Sequence, residues 1–255
     1  MASFPPIRAV ERAIDLLCAL NRSPVCTLDA LHRRTGIPKP TLVRLLETLQ
    51  GKALVTRAPL YGAYSLSSGV RQLSCGYHGV PRLVEAAMPS MDELTRKLKW
   101  PIALAVPDHD AVVIRYSTIP GSPLSLLHSS INMRLSLVSR ALGRAYLAAC
   151  TAQECRALLD ILKLSEDPED ALARQARAVS AMLRQIRQQG YALRMPGVRP
   201  VSNTLAVPVF EGRRVVASIG LTWIARAVGQ EQAVQKFLPP MQEMARHIRQ
   251  RLNGL

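Results

Sequence analysis

The stretch "TGIPKPTLVRLLETLQ", Thr35 to Gln50, decides how this chain is read. Gly36 is a natural stop for a preceding helix, because without a Cβ it enters the left-handed region freely. Pro40 has the fixed φ of a helix's first position, so a new helix is expected to start near Lys39 or Pro40. Leu42, Leu45, Leu46 and Leu49 then recur at helical spacing as a buried stripe, and Ile37 can plug the angle between the two helices. Lys39, Thr41, Arg44, Glu47 and Thr48 are left facing outward. This is the pattern of a helix that enters a DNA groove. It is equally the pattern of a three-helix core whose outer face happens to be basic.

Upstream, "IRAVERAIDLLCAL" places Ile7, Val10, Ile14, Leu17 and Leu20 at helical spacing, which predicts a helix over 7–21. "NRSPVC" reads as a loop. "TLDALHRRTG" offers Thr27 as N-cap, Asp29 in the favourable first turn and Gly36 at the stop, giving a short second helix. Downstream, "VTRAPLYGAYSL" reads as two short strands around a Pro59/Gly62 turn. Residues 69–99 read as a connecting helix and a second helix, with Pro81 at a start and Pro89 as a kink or restart. The expected organisation is a DNA-binding domain over 1–68, a linker helix over 69–80 and a second domain over 81–255.

The second domain has a mixed rhythm. "PIALAVPDHDAVVIRYSTI" predicts two strands around a Pro107–Asp110 turn, "LSLLHSS" a third strand, and "INMRLSLVSRALGRAYLAAC" a loop entering a helix. "TAQECRALLDIL" and "DPEDALARQARAVSAMLRQIRQQG" are expected helices, the latter stopping at Gly190. "YALR" and "NTLAVPVFEGRRVVASIGLTWI" supply three more strands with "EGRR" as a hairpin turn. A last helix is expected to be interrupted at Pro239–Pro240. The fold class is α+β, with helices on one face of a largely antiparallel sheet.

A chain of 255 residues with 48% apolar and 20% charged residues folds around a real core. Its net charge of +15 favours a polyanionic partner. That charge is spread, +6 over 1–80 and +9 over 81–255, so it does not by itself locate a nucleic-acid site. Cys18, Cys26, Cys75, Cys150 and Cys155 form no CxxC pair and have no His at zinc-ligand spacing, so no metal is expected. The odd cysteine count and the lack of a signal-like start point to the cytoplasm. No apolar run approaches a membrane span.

Helix, short helix, turn, helix and two short strands follow the order of a winged helix-turn-helix, whose second helix enters the major groove of double-stranded DNA. The residues expected at that interface are Thr27, Lys39, Pro40, Thr41 and Arg44, with Arg57 and Tyr61 tracking the adjacent backbone. Arg44 can fork onto guanine or clamp a phosphate, whereas Lys39 at the helix start suits a phosphate.

The segments "RAVERAIDLLCAL", "LDALHRRTGIPKPTLVRLLETLQGKALV", "MRLSLVSRALGRAYLA", "GYALR" and "LAVPVFEGRRVVASIGL" together resemble the isocitrate-lyase-regulator (IclR) family of bacterial transcription factors. The resemblance implies a homodimer or dimer of dimers, and a C-terminal GAF-like domain that binds a small effector. Two departures stand out. "SRALGR" carries Arg140 and Arg144 where the family pattern has Ala and Lys. "MPGVRPVSNT" lacks the acidic residue often found there and carries Arg199, Ser202 and Asn203 instead. "RLLETLQ", "VRQLS", "KWP" and "AVVIRYST" look most like the subgroup that controls catabolism of aromatic acids such as hydroxyphenylpropionate.

A carboxylate effector is expected between the sheet and the N-terminus of the "SRALGRA" helix, where free N–H groups favour an anion. Arg115, Arg134, Ser139, Asn203 and Trp223 are the candidate contacts. Arg134 reads equally as a surface charge, Trp223 as core, and Asn203 as turn chemistry. There is no GxSxG elbow and no phosphate loop, so no enzyme and no cofactor is expected. The expected function is an effector-controlled transcriptional regulator of a catabolic operon, with no membrane partner. The alternative is a ligand-sensing or metabolic enzyme domain carrying an N-terminal helical protein-interaction module.

Overall fold

A computed structural model describes residues 4–22, 25–58, 62–74 and 81–254. The chain divides into two compact units, Met1–Gly79 and Val80–Leu255.

The first unit contains α1 (Arg8–Arg22), β1 (Cys26–Thr27), α2 (Leu28–Thr35), α3 (Lys39–Gly51), β2 (Val55–Ala58) and β3 (Ala63–Leu66), followed by a 310 turn over Ser68–Ser74. Thr27 caps α2 by accepting from the Ala30 amide, and Gly36 ends it at φ 66°. α3 starts at Lys39 with Pro40 in its first turn. Leu42, Leu46 and Leu49 are buried with Leu16, Leu20, Leu31 and Ile37, while Leu45 is half-buried. Each such leucine contributes roughly 1.5–3 kcal/mol relative to exposure.

Two expectations need correction in this unit. "NRSPVC" was expected as loop alone, but Cys26 and Thr27 pair with Tyr64 and Ala63, so the wing sheet has three strands in the order β1-β3-β2. The α1 apolar positions also divide. Leu20 is buried, but Ile7, Val10 and Ile14 remain 69%, 53% and 55% exposed while Leu16 and Ala19 fill the core. The helix carries two apolar faces, and periodicity does not say which one a three-helix core selects.

The second unit contains α4 (Pro81–Leu98), β4 (Ile102–Asp108), β5 (Ala111–Ser117), β6 (Arg134–Ser136), α5 (Ala141–Ala149), α6 (Ala152–Lys163), α7 (Ala176–Gln189), β7 (Ala192–Leu193), β8 (Ser202–Glu211), β9 (Arg214–Ile224) and α8 (Gln230–Gly254). Its six strands form one antiparallel sheet in the order β6-β5-β4-β9-β8-β7.

Helices cover both faces of that sheet, not one. Ile102, Leu104, Leu205, Val207, Ile219 and Leu221 pack on α4 and α8. The alternate residues Ala105 and Ala206 face α5 and α7. Under α5 the central strands carry small residues, and the helix comes in close. A Cβ on Gly220 would stand 3.0 Å from the Leu142 side chain. On α5 itself, a Cβ on Gly143 would lie 2.1 Å from the Ser136 carbonyl oxygen, so only glycine fits there.

Three further expectations differ. "LSLLHSS" is irregular, and the edge strand is Arg134–Ser136, within the segment expected as a loop. Short apolar runs do not identify a strand without a neighbour to pair with. α4 runs through Pro89, and α8 runs unbroken through Pro239 and Pro240. In α8 the carbonyls that lose a partner belong to Gln235 and Lys236, which are exposed, so water can satisfy them. Among the described residues no helix is long and apolar enough to cross a membrane.

Candidate DNA interface and effector cavity

The turn before α3 is held by local hydrogen bonds. Thr35 Oγ1 donates to the Leu31 carbonyl at 2.8 Å, and the Ile37 amide donates to Thr35 Oγ1 at 3.3 Å. His32 Nδ1 lies 2.8 Å from the Ile37 carbonyl oxygen. No side chain caps α3, since its N-cap is Pro38, and its first amides therefore face outward unpaired by any side chain. Lys39 and Arg44 are exposed, with Thr41 half-buried between them.

Lys39 Nζ forms a 2.6 Å ion pair with Asp29, which holds that carboxyl below its ordinary range. Arg57 lies on the exposed side of β2, its guanidinium 5.9 Å from the Tyr64 ring centroid. Thr27 is occupied as the cap of α2. Tyr61 lies outside the described residues. Arg33 and Arg34, both exposed on α2, add positive charge that the sequence reading did not single out.

In the second unit, a cavity opens between β4, β5, β8, β9 and the N-terminal end of α5. About 80 Å³ of it can hold the centre of a water molecule, enough for a small organic acid. Where β8 passes beyond the end of α5, Ala206 gives way to Thr204 and Ser202. These and Thr222 from β9 form the cavity's polar side. Ile114, Leu124, Leu135 and Leu142 form its apolar side.

Among the described residues, three arginines line this cavity and no acidic residue does. Arg140 stands at the entrance to α5 and is paired from behind by Glu169, with its Nε 2.6 Å from Glu169 Oε2. That contact, aided by Ser139, keeps the Glu169 carboxyl below its ordinary range. Arg194 donates to the Ser202 carbonyl at 2.7 Å, to Ser202 Oγ at 3.0 Å and to Thr204 Oγ1. Burial, followed by the charges of Arg140 and Arg199, pulls the Arg194 guanidinium down to about 10. Arg199 is half-buried, on a loop residue at φ 59°.

The residues expected here from sequence are mostly placed elsewhere. Arg115 donates to Asn132 at 2.9 Å and to Asp108 at 3.3 Å. Arg134 pairs with Asp110 at 2.6 Å and with Asp108 at 3.5 Å, half-exposed. Both belong to an ion-pair cluster near the β4–β5 turn, off the cavity wall.

Ser139 is fully buried and donates to Glu169 at 3.2 Å, on the same carboxylate that holds Arg140. Asn203 pairs across the sheet with Trp223, on the α4/α8 face opposite Thr204 and Thr222. Trp223 borders the cavity, but its ring packs 6.0 Å from that of Phe237 and its Nε1 donates to the Val228 carbonyl.

Arg140 and Arg199 were visible in the sequence as departures from the family pattern, and Arg194 only as the end of a strand. In a chain so rich in arginine, nothing marked Arg194 as inward-facing. Arg144 is structural. It donates to the Leu193 carbonyl at 2.6 Å and ties α5 to β7.

A family model for the IclR helix-turn-helix domain matches residues 9–59, and one for the bacterial transcriptional regulator IclR C-terminal domain matches residues 76–250. The chain belongs to the IclR family. This DNA-binding transcriptional regulator is 29% identical over 230 residues to the HTH-type transcriptional regulator XynR of Escherichia coli, covering 88% of this chain and 89% of that one. It is 25% identical over 243 residues to E. coli KdgR, covering 95% and 91%.

Two solved structures share its fold. The IclR of Thermotoga maritima has a TM-score of 0.69 at 18% identity, covering 96% of this chain and 99% of that one. An IclR homologue from Microbacterium hydrocarbonoxydans, complexed with 4-hydroxybenzoate, has a TM-score of 0.67 at 17% identity, covering 97% and 100%.

Proposed function

We propose that this IclR-family protein controls a catabolic operon from the cytoplasm, as a homodimer or dimer of dimers on a palindromic operator. Lys39, Thr41 and Arg44 enter the major groove, and Arg57 with the wing follows the backbone. The exposed Val10 and Ile14 on α1, with the exposed Phe4 and Ile7 just before it, support self-association of the DNA-binding unit.

The effector is a small carboxylic acid, aromatic or otherwise. The observation that carries this reading is the cavity's three arginines with no acid among its lining residues. A guanidinium removed from water is costly unless an anion meets it. The apolar wall suits an aromatic body, as in hydroxyphenylpropionate or the 4-hydroxybenzoate of the Microbacterium homologue. The effector acts by binding one dimer geometry more tightly than another.

The test has two arms. Selection from a random duplex pool at physiological salt should yield a preferred palindrome, and Arg44→Ala should relax that preference at one base position by about 1–3 kcal/mol. A wild type without preference at any salt defeats the operator reading. Preference surviving Arg44→Ala moves the reading head elsewhere. Thermal-shift screening against aromatic acids should raise the melting temperature, and silence across the set removes the aromatic assignment.

A further inference from the structure

The charge balance of the cavity says more than that an acid binds. Arg140 is already neutralised by Glu169, so it asks little of a ligand. Arg194 and Arg199 are in a different state. Among the described residues neither has a carboxylate within 4.0 Å, and all the acceptors of Arg194 are neutral oxygens. The Arg199 backbone is tied to this group, because Arg194 Nη1 donates to the Arg199 carbonyl at 3.4 Å. That places the two cationic residues beside each other on one wall. Ile114, Leu135 and Leu142 line the same cavity and offer nothing to a charge.

We propose that the cavity recognises a compact acid carrying two carboxylates, one held by Arg194 with Ser202 and Thr204, the other by Arg199. This rests on the reading of the cavity as the effector site and narrows that reading from acids in general to diacids. A monocarboxylate would neutralise one guanidinium and leave the other facing an apolar wall at reduced dielectric. A second carboxylate on the same small skeleton satisfies both, and the apolar wall takes the skeleton between them. Burial is the main cause of the lowered proton affinity of Arg194; the charges of Arg140 and Arg199 add to it and that of Glu169 partly offsets them.

The test is titration calorimetry on the full chain at pH 7 and fixed ionic strength. Phthalate and glutarate are compared with benzoate and butyrate, and with inorganic phosphate as a compact dianion lacking a skeleton. The diacids should bind about tenfold or more tightly than their monoacid counterparts, and more tightly than phosphate. Arg199 sits on a half-exposed loop, so Arg199→Gln should fold normally. It should bring diacid affinity within about twofold of monoacid affinity, and Arg199→Lys should restore much of the difference.

Equal affinity for the two series in the wild type overturns the inference. So does a diacid preference that survives Arg199→Gln, or phosphate binding more tightly than phthalate. If benzoate and butyrate bind as well as the diacids, the small-acid reading stands and only the two-carboxylate inference falls. If no acid binds at millimolar concentration, both fall.

Discussion

The molecule presents cationic side chains at two helix N-termini, and their surroundings make them different devices. At α3, Lys39 and Arg44 stand in water, and Asp29, which pairs with Lys39, is itself exposed. At α5, Arg140, Arg194 and Arg199 border a cavity with an apolar wall. Exposed cations interact weakly and at a distance, are screened by salt, and suit a long polyanion met many times over. Cations withdrawn from water are costly to leave unmatched, so they select for a small anion of fitting charge and shape. On the reading proposed above, cationic side chains thus serve affinity for a polymer in one unit and recognition of a small anion in the other.

Gly143 tests how far the second device depends on close packing. Gly143→Ala drives a Cβ into the Ser136 backbone carbonyl, so α5 must withdraw from the end of β6. The expected cost is about 3 kcal/mol, at the upper end for overpacking. It should be read from chemical denaturation of the effector unit's transition, with binding of phthalate lost in parallel. A transition unmoved by the substitution would mean that α5 is not held against the end of β6.

Glu169→Gln should be milder, because the pair it breaks is partly solvated. Arg140 and Glu169 side chains are 19% and 32% exposed. A loss of roughly 1–2 kcal/mol is expected, well below that of a fully buried pair. The folded carboxyl is held below its ordinary value of 4.5. Its contribution is therefore complete above that pH and disappears as the pH falls through the lower folded value. Melting curves from pH 7 to pH 3 should show the wild type losing its advantage over Glu169→Gln on the acid side. Parallel curves would refute the ion pair.

Substitutions at the DNA-facing device should be smaller in stability and visible in salt dependence. Lys39→Ala should weaken binding to all duplexes alike and reduce the slope of log affinity against log salt by about 1. Asp29→Asn should do least. It releases Lys39 from its ion pair, leaving melting unchanged and raising operator affinity slightly at low salt only. If Asp29→Asn instead abolishes binding, the pair positions the helix, and the contrast between a loose outer charge and a fixed inner one would need redrawing.

The helix-turn-helix was legible because its signals are local. Thr27, Gly36 and Pro40 each set a helix boundary through their own backbone chemistry, and Leu42, Leu46 and Leu49 share a face by spacing alone. The choice of which α1 face to bury was not local. It depended on the shape of the core that α2 and α3 make, and so Ile7, Val10 and Ile14 ended in solvent. The cavity was the least legible part. Its location near the α5 N-terminus followed from the resemblance, but its wall is assembled from segments more than a hundred residues apart. Asn203 and Thr204 are adjacent in the chain and face opposite sides of the sheet, and only strand register separates them.

By itself the sequence determined the family and the boundaries of α2 and α3, because capping, turn chemistry and helical periodicity act within a few residues. Tertiary structure decided which arginines line the cavity. Arg115 and Arg134 found acids at the β4–β5 turn, whereas Arg194 and Arg199 did not. Whether a cation has a partner is a matter of what the fold brings within a few ångströms of it, and chain order does not carry that information.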